Sequence, residues 1–163
     1  MSRLAFLRHA DSSRSTLAEA ESAARNLGFA TQTFNVQHES ELPDAFEAAR
    51  RENSGAMLVL PSPFLGAVRE RVIALAARHR MPASYELRLY VEDGGLISYG
   101  PSLADLYGRS ATFIDRIFKG ANPADMPIER PARFELVINL KAAEALGLAL
   151  PQSLLSRADE LIR

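Results

Sequence analysis

The chain predicts an α/β fold of three layers, a largely parallel sheet flanked by helices. Three observations carry that prediction. Ala56-Met57-Leu58-Val59-Leu60 is a continuous apolar run, which suits a central parallel strand covered on both faces. Shorter apolar runs alternate along the chain with segments whose apolar residues recur at helical spacing. Glycine and proline punctuate the junctions between them. At 163 residues the chain suits one domain, large enough to bury a real core. Each crossover between parallel strands is expected to be right-handed.

The elements follow in order. Leu4 to Leu7 is a short buried strand. Ser15 or Thr16 opens a helix, and Thr16 with Glu19 fits a capping box. Leu17, Ala20, Ala24 and Leu27 form its stripe, and Gly28 stops it. Thr31 to Val36 is a weaker strand. Ser40 starts a second helix with Pro43 in its first turn, where a missing N–H costs nothing, and Leu42, Phe46 and Ala49 form its stripe. After the run 56–60, Pro61 and Pro63 end the central strand. Phe64 to Arg80 reads as one helix, with Leu65, Val68, Val72, Leu75 and Ala76 on one side and Pro82 beyond it. Ala83 to Tyr85 and Leu96 to Ser98 are short strands, with a turn at Val91 to Gly95. Ser102 with Asp105 caps a long helix whose buried side is Leu103, Leu106, Phe113, Ile114 and Ile117; Gly120 ends it. Pro123, Pro127 and Pro131 make an extended connector. Phe134 to Ile138 is a strand, Asn139 caps a helix through Leu146, and a second short helix follows the stop at Gly147.

Composition excludes several function classes. A net charge of −1 argues against a nucleic-acid surface, which is normally basic. The absence of cysteine removes disulfides, thiolate metal sites and a cysteine nucleophile together. No apolar run approaches the roughly 20 residues that span a bilayer, so no membrane insertion is expected. The opening MSRLAFLRHADSS has only Leu4 to Leu7 before Arg8, shorter than the apolar stretch of a signal peptide. Taken as a whole gene product, the chain is expected in the cytoplasm. There is no nucleophile elbow, phosphate-binding glycine loop, zinc motif or other sign of a metal or cofactor.

In open α/β sheets a ligand sits beyond the carboxyl ends of the strands. Three segments reach that position. The first is Arg8 to Ser15, where His9, Asp11, Ser12, Ser13 and Ser15 surround a helix start. Backbone N–H groups there favour an anionic ligand group, although each serine serves equally well as a helix cap. The second is Pro61-Ser62-Pro63-Phe64, whose two prolines fix the backbone as a pre-formed wall or a rigid surface turn. The third is Tyr85-Glu86, an aromatic ring beside a carboxylate, which could hold an apolar ammonium ligand. The alternative for this pair is a half-exposed tyrosine and a solvated glutamate. Leu7-Arg8-His9-Ala10 also looks like the start of a histidine phosphatase, with Arg8 binding phosphate and His9 phosphorylated. Neither His38 nor His79 has a context suited to that enzyme's second histidine.

Residues 131–163, PARFELVINLKAAEALGLALPQSLLSRADELIR, carry a further pattern. Phe134 to Lys141, Ala145 to Leu148, Pro151 and Leu154 to Glu160 resemble the C-terminal signature of a bacterial family, the amino-acid-binding kind of ABC-transporter substrate-binding proteins. The likeness extends in order through Ala56 to Pro61, Arg78 to Ala83, Gly94 to Pro101, Leu103 to Tyr107 and Lys119 to Asp125. The resemblance implies a type I periplasmic-binding-protein-like lobe with a C-terminal helix-strand-helix extension, no enzymatic activity, a small amino-acid-like ligand, an ABC permease as partner and a periplasmic location. It divides the chain into a ligand-binding lobe, 1–98, and a hinge plus C-terminal extension, 99–163. In the family an aspartate often occupies the loop after the central strand and can face a ligand ammonium. Ser62 corresponds to it here, leaving that loop without a carboxylate.

Family members have two lobes, and this chain starts where the second would begin. The helix 102–119 and the strand 134–138 are therefore expected to expose apolar side chains in a single copy. That predicts a homodimer with residues 102–163 exchanged or packed across a two-fold axis, unless the tail folds back on the sheet of its own chain. A non-transport sensor or assembly module is the alternative function.

Overall fold

The computed structural model describes residues 3–163; Met1 and Ser2, at the head of the expected lobe, lie outside the described residues. Seven strands form one sheet: β1 (Arg3–His9), β2 (Ala30–Val36), β3 (Ser54–Val59), β4 (Ala83–Tyr85), β5 (Ile97–Pro101), β6 (Phe134–Asn139) and β7 (Glu160–Ile162). Their spatial order is β2-β1-β3-β4-β5-β6-β7. All adjacent pairs are parallel except β5 with β6, which run antiparallel. Between the strands lie α1 (Arg14–Asn26), α2 (Leu42–Arg51), α3 (Pro63–Ala67), α4 (Arg69–Arg78), α5 (Arg88–Glu92), α6 (Leu103–Phe118), α7 (Leu140–Ala145) and α8 (Gln152–Leu155).

The pleat of β1 sorts the core into two layers, because successive side chains of a strand point to opposite faces. Ala5 and Leu7 join a large cluster with Leu42 and Phe46 of α2 and Val72 and Leu75 of α4. Phe6 points the other way and packs with Ala24 of α1, Leu17, Leu58 and Leu60. Ala5, Phe6 and Leu7 are all fully buried, so the short N-terminal run is a strand with helices on both faces. Fully burying a side chain of the size of Phe6 stabilises by roughly 1.5–3 kcal/mol.

The structure departs from the sequence expectation in several places. The helix expected over 64–80 is interrupted at Val68, whose φ of −103° and ψ of 21° leave the helical range. Gly66 weakens the first turns, and the Arg69 guanidinium takes the Gly66 carbonyl at 3.4 Å. The turn expected at 91–95 begins only after α5, a single helical turn held by the burial of Tyr90 and Val91. Ser13, not Thr16, caps α1, its hydroxyl accepting from the Thr16 N–H at 3.4 Å. The last short helix stops at Leu155, and the chain ends in β7 instead. There the unused edge of β6 is available: Leu136 and Asp159 exchange two bonds, both at 2.8 Å. Backbone pairing on an open sheet edge outweighs weak helix propensity.

The strand expected to be exposed in one copy is exposed only at its start, where Phe134 faces solvent. Pairing with β5 and β7 buries Val137 and Ile138, so the tail completes the sheet of its own chain. The helix behaves differently. No residue of α6 is fully buried, and Tyr107, Phe118 and, in the connector, Ile128 stand exposed. The predicted stripe of Leu103, Leu106, Phe113, Ile114 and Ile117 has nothing in the described chain deep enough to cover it.

One close approach locks the strand that leads into α6. A Cβ added at Gly100 would lie 1.9 Å from the backbone oxygen of Glu86, far inside van der Waals contact. A Cβ at Gly108, within α6, meets nothing within 4 Å. Gly100→Ala is therefore expected to destabilise by about 1–3 kcal/mol through backbone displacement. Gly108→Ala is expected to stabilise by about 0.5–1 kcal/mol through helix propensity. Urea unfolding of the two variants beside the parent checks both signs.

Candidate functional site

Parallel pairing of β1 with β3 sets their exits side by side: the Leu60 N–H donates to the Leu7 carbonyl at 3.0 Å. The loops that follow, 10–13 and 60–62, therefore meet. After β1 the chain turns sharply, with the Ser12 N–H on the His9 carbonyl at 3.0 Å. The buried Ser12 hydroxyl returns the bond, accepting from the His9 N–H at 3.4 Å. Ser13 is occupied as the α1 cap, and its hydroxyl lies 2.7 Å from that of Ser15. After β3, Ser62 caps α3, accepting from the Leu65 N–H at 3.0 Å, with Pro63 at the helix start where no N–H is needed.

Asp11 joins the two loops. Its Oδ2 accepts from the Phe64 N–H at 3.3 Å, and its Oδ1 lies 2.7 Å from His9 Nδ1. The Asp11 N–H also approaches Nδ1, at 3.2 Å. Both contacts cannot be bonds at once, and the shorter places the proton on Nδ1, donating to the carboxylate. The His9 ring stacks on Phe64, with centroids 4.3 Å apart. Burial works to raise the Asp11 carboxyl. Hydrogen bonds from Ser62, His9 and the Phe64 N–H outweigh it and hold the group below its ordinary value. Asp11 is thus an ionised, partly exposed carboxylate with an aromatic shelf beside it.

The third segment divides. Tyr85 turns into the core, where it is 2% exposed and stacks on Tyr90 with centroids 4.5 Å apart. It is therefore neither the ligand-holding ring expected at the strand end nor the half-exposed aromatic of the alternative. Glu86 stays at the carboxyl end of β4, half-buried against the strand carrying Gly100. Burial pushes its carboxyl above the ordinary value, and no hydrogen bond or cation offsets this among the described residues. The neighbouring Arg88 is committed elsewhere, to Glu92 at 2.7 Å, Glu160 at 2.8 Å and Glu135 at 3.6 Å. Pro61 is exposed at the loop between β3 and α3.

Of the sequence candidates, the structure brings His9, Asp11 and Ser62 into direct contact, with Ser12, Ser13 and Ser15 bracing the first loop. Phe64 belongs to the second candidate loop but was not singled out as a contact residue. Its only sequence signal was an aromatic immediately after a Pro-Ser-Pro turn, and its stacking on His9 depends on strand order. Arg8 donates to Asn35 at 3.1 Å and to the Ser12 carbonyl at 3.3 Å. His79 lies at the end of α4 against Phe46, so the structure does not assemble the two histidines and free arginine of a phosphatase. Among the described residues no group of three or more His, Asp or Glu side chains could hold a metal.

The model of the ABC transporter substrate binding protein family matches residues 6–162. The chain belongs to that family. No curated protein matches it. Among solved structures it is similar to an ABC domain from Streptococcus pneumonia in complex with L-Trp, at 25% identity and a TM-score of 0.88. That likeness covers 99% of this chain and 56% of the other. A conserved domain protein from Vibrio cholerae shares the fold at 22% identity and a TM-score of 0.88, over 98% of this chain and 54% of that one. So does the ligand-free, open structure of a substrate binding protein with adhesive properties from Clostridium difficile, at 15% identity and a TM-score of 0.71 over 99% and 54%. The fold is periplasmic-binding-protein-like, and the chain spans about half the length of these relatives.

The loop after the central strand, Pro61 to Phe64, carries Ser62 and no carboxylate of its own. Asp11 reaches across from the neighbouring loop, so a carboxylate does stand over Ser62 and Phe64.

The two carboxylates have opposite pH signatures. Asp11, held low in the folded state, contributes stability above its unfolded value that is lost as pH falls through its folded value. Glu86, raised by burial, opposes folding once ionised, and its cost vanishes below about pH 4, where both states are protonated. Glu86→Gln is therefore expected to raise the melting temperature at pH 7 and to leave it unchanged near pH 3. Calorimetric scans of both proteins across that range read the difference.

Proposed function

We propose that the chain binds a small amino-acid-like solute carrying an ammonium group, in the crevice beyond the carboxyl ends of β1, β3 and β4. It would do so as the second-lobe portion of an ABC-transporter solute-binding protein that serves a permease from the periplasm. The observation that carries this reading is the Asp11 carboxylate, ionised and braced by His9, Ser62 and the Phe64 N–H at the mouth of the crevice. An ammonium would lie on Asp11, with Glu86 as a second anion at the crevice edge. The apolar part of the ligand would lie along the His9–Phe64 shelf. A cation beside Glu86 would also relieve its unpaired burial. The L-Trp bound to the Streptococcus pneumonia domain is consistent with a ligand of this kind.

In a two-lobed solute-binding protein, a ligand held by both lobes only in the closed state shifts the hinge equilibrium. The division into a lobe, 1–98, and a hinge with extension, 99–163, fits that mechanism, since Pro101 and Phe134 pair at the point where α6 departs from the sheet. No membrane-spanning helix occurs among the described residues.

The test is thermal unfolding with aliphatic and aromatic amino acids, matched amines, matched carboxylates and sugars. A ligand at 100 times its dissociation constant adds about 2.7 kcal/mol to the folded state. Amino acids and amines are expected to raise the midpoint, and Asp11→Asn to weaken them by roughly tenfold, about 1.4 kcal/mol. Shifts produced by carboxylates or sugars but not by amines would sink the cationic-ligand reading.

A second reading rests on α6. Its exposed Tyr107 and Phe118, with Ile128 of the connector, favour a covering body. In this reading the chain is a homodimer packed through residues 102–133, acting as a sensor or assembly module outside transport. Sedimentation equilibrium is expected to give twice the chain mass of 17.9 kDa. A monomer persisting at high concentration removes this reading and leaves the first intact.

A further inference from the structure

A cavity of about 350 Å³ lies away from the crevice, at the opposite end of the strands. Met81 and Ala83 reach it from the start of β4, Gly95 and Leu96 from just before β5, and Asn139 from the end of antiparallel β6. Its side walls are α4 and α7. They face each other through small side chains, Ala76 and Ala77 on one and Ala142 and Ala145 on the other. Four alanines cannot fill the space that two helices leave between their axes, whereas a core of larger residues would close it.

The polar groups of this cavity select among occupants. Asn139 is spent: its Oδ1 caps α7 by accepting from the Ala142 N–H at 3.0 Å, and its Nδ2 donates to the Val91 carbonyl at 3.4 Å. Tyr85, 2% exposed, contributes its ring to the wall and makes no hydrogen bond among the described residues. Lys141 is the only charged residue in the lining and has no carboxylate within ion-pair distance among the described residues. The volume falls in the small-molecule range, and apolar walls with one convergent charge are the usual composition of such a site.

We propose that this cavity binds a small apolar monoanion, an aryl- or alkyl-carboxylate, with its body between α4 and α7 and its carboxylate on Lys141. The apolar stem of Lys141 lies along the groove while its ammonium meets the anion at the mouth. The charge requirement is opposite to that of the crevice, where the free groups are carboxylates. The two sites are thus distinguished by ligand sign and by residue.

The chain has no tryptophan, so an indole probe fluoresces against a dark background. Indole-3-propionate is titrated into the full chain, with indole-3-propanol as the neutral match and tryptamine as the cation. The propionate is expected to bind about tenfold or more tighter than the alcohol. Lys141→Gln, an exposed position whose change does not threaten folding, is expected to remove that advantage. Ala145→Phe is expected to abolish binding by filling the cavity, with its melting curve showing that the variant is folded. Asp11→Asn is expected to leave propionate binding unchanged. Overturning results are no binding at about 1 mM, equal binding of the alcohol, retention in both Lys141→Gln and Ala145→Phe, or loss in Asp11→Asn, which would assign the probe to the crevice.

Discussion

The parallel ladder of β1 against β2 and β3 is the constraint on which the rest of the molecule depends. It places a seven-residue strand, fully buried at its centre, between two helical layers. It also makes the loops after β1 and β3 neighbours, although more than fifty residues separate Asp11 from Phe64 in the chain. Without that register no carboxylate would stand over the α3 cap. The site is therefore a product of strand order before it is a product of side-chain chemistry, as expected of sheets whose ligands lie beyond the strand ends.

The sheet also decides the fate of the tail. β5 and β6 run antiparallel, so the chain leaves the sheet and returns to it at one end, with α6 and the proline connector as an excursion. The strands on either side of that excursion are tightly held. Gly100 is pressed against the Glu86 backbone, and Arg88 gathers carboxylates from α5, β6 and β7. Each of these partly exposed ion pairs contributes little alone, but together they tie the crevice edge to the last strand. The excursion itself is loosely attached, and its amphipathic helix keeps an apolar stripe without a partner in the described chain.

Two regions of opposite charge result from this arrangement. The carboxyl ends of the strands present Asp11 and Glu86, one held ionised by donors and one raised by desolvation. The far end presents an apolar gap between alanine-faced helices with a lysine at its lining. A chain of net charge −1 hides this segregation, because charge sums carry no information about position.

By itself the sequence determined the α/β class, six of the seven strands and most helices, because apolar runs and helical stripes are local signals that burial in a sheet enforces. It determined the family as well, through short motifs kept in order from Ala56 to Glu160. It also marked the loops after β1 and β3 as segments at the carboxyl ends of the strands, since these follow apolar runs bounded by proline and serine. It did not determine what only tertiary structure could decide. The break at Val68 shows only in the backbone angles of the folded chain, and β7 depends on an open edge at β6. Tyr85 read as a ligand-holding aromatic beside Glu86 because nothing local revealed that its ring would turn onto Tyr90. Ser62 read as leaving its loop without a carboxylate because Asp11, which stands over it, arrives from another loop. Propensity and pattern act over a few residues. The placement of a charge in a crevice is set by which strands lie side by side, and that is settled only when the whole sheet has formed.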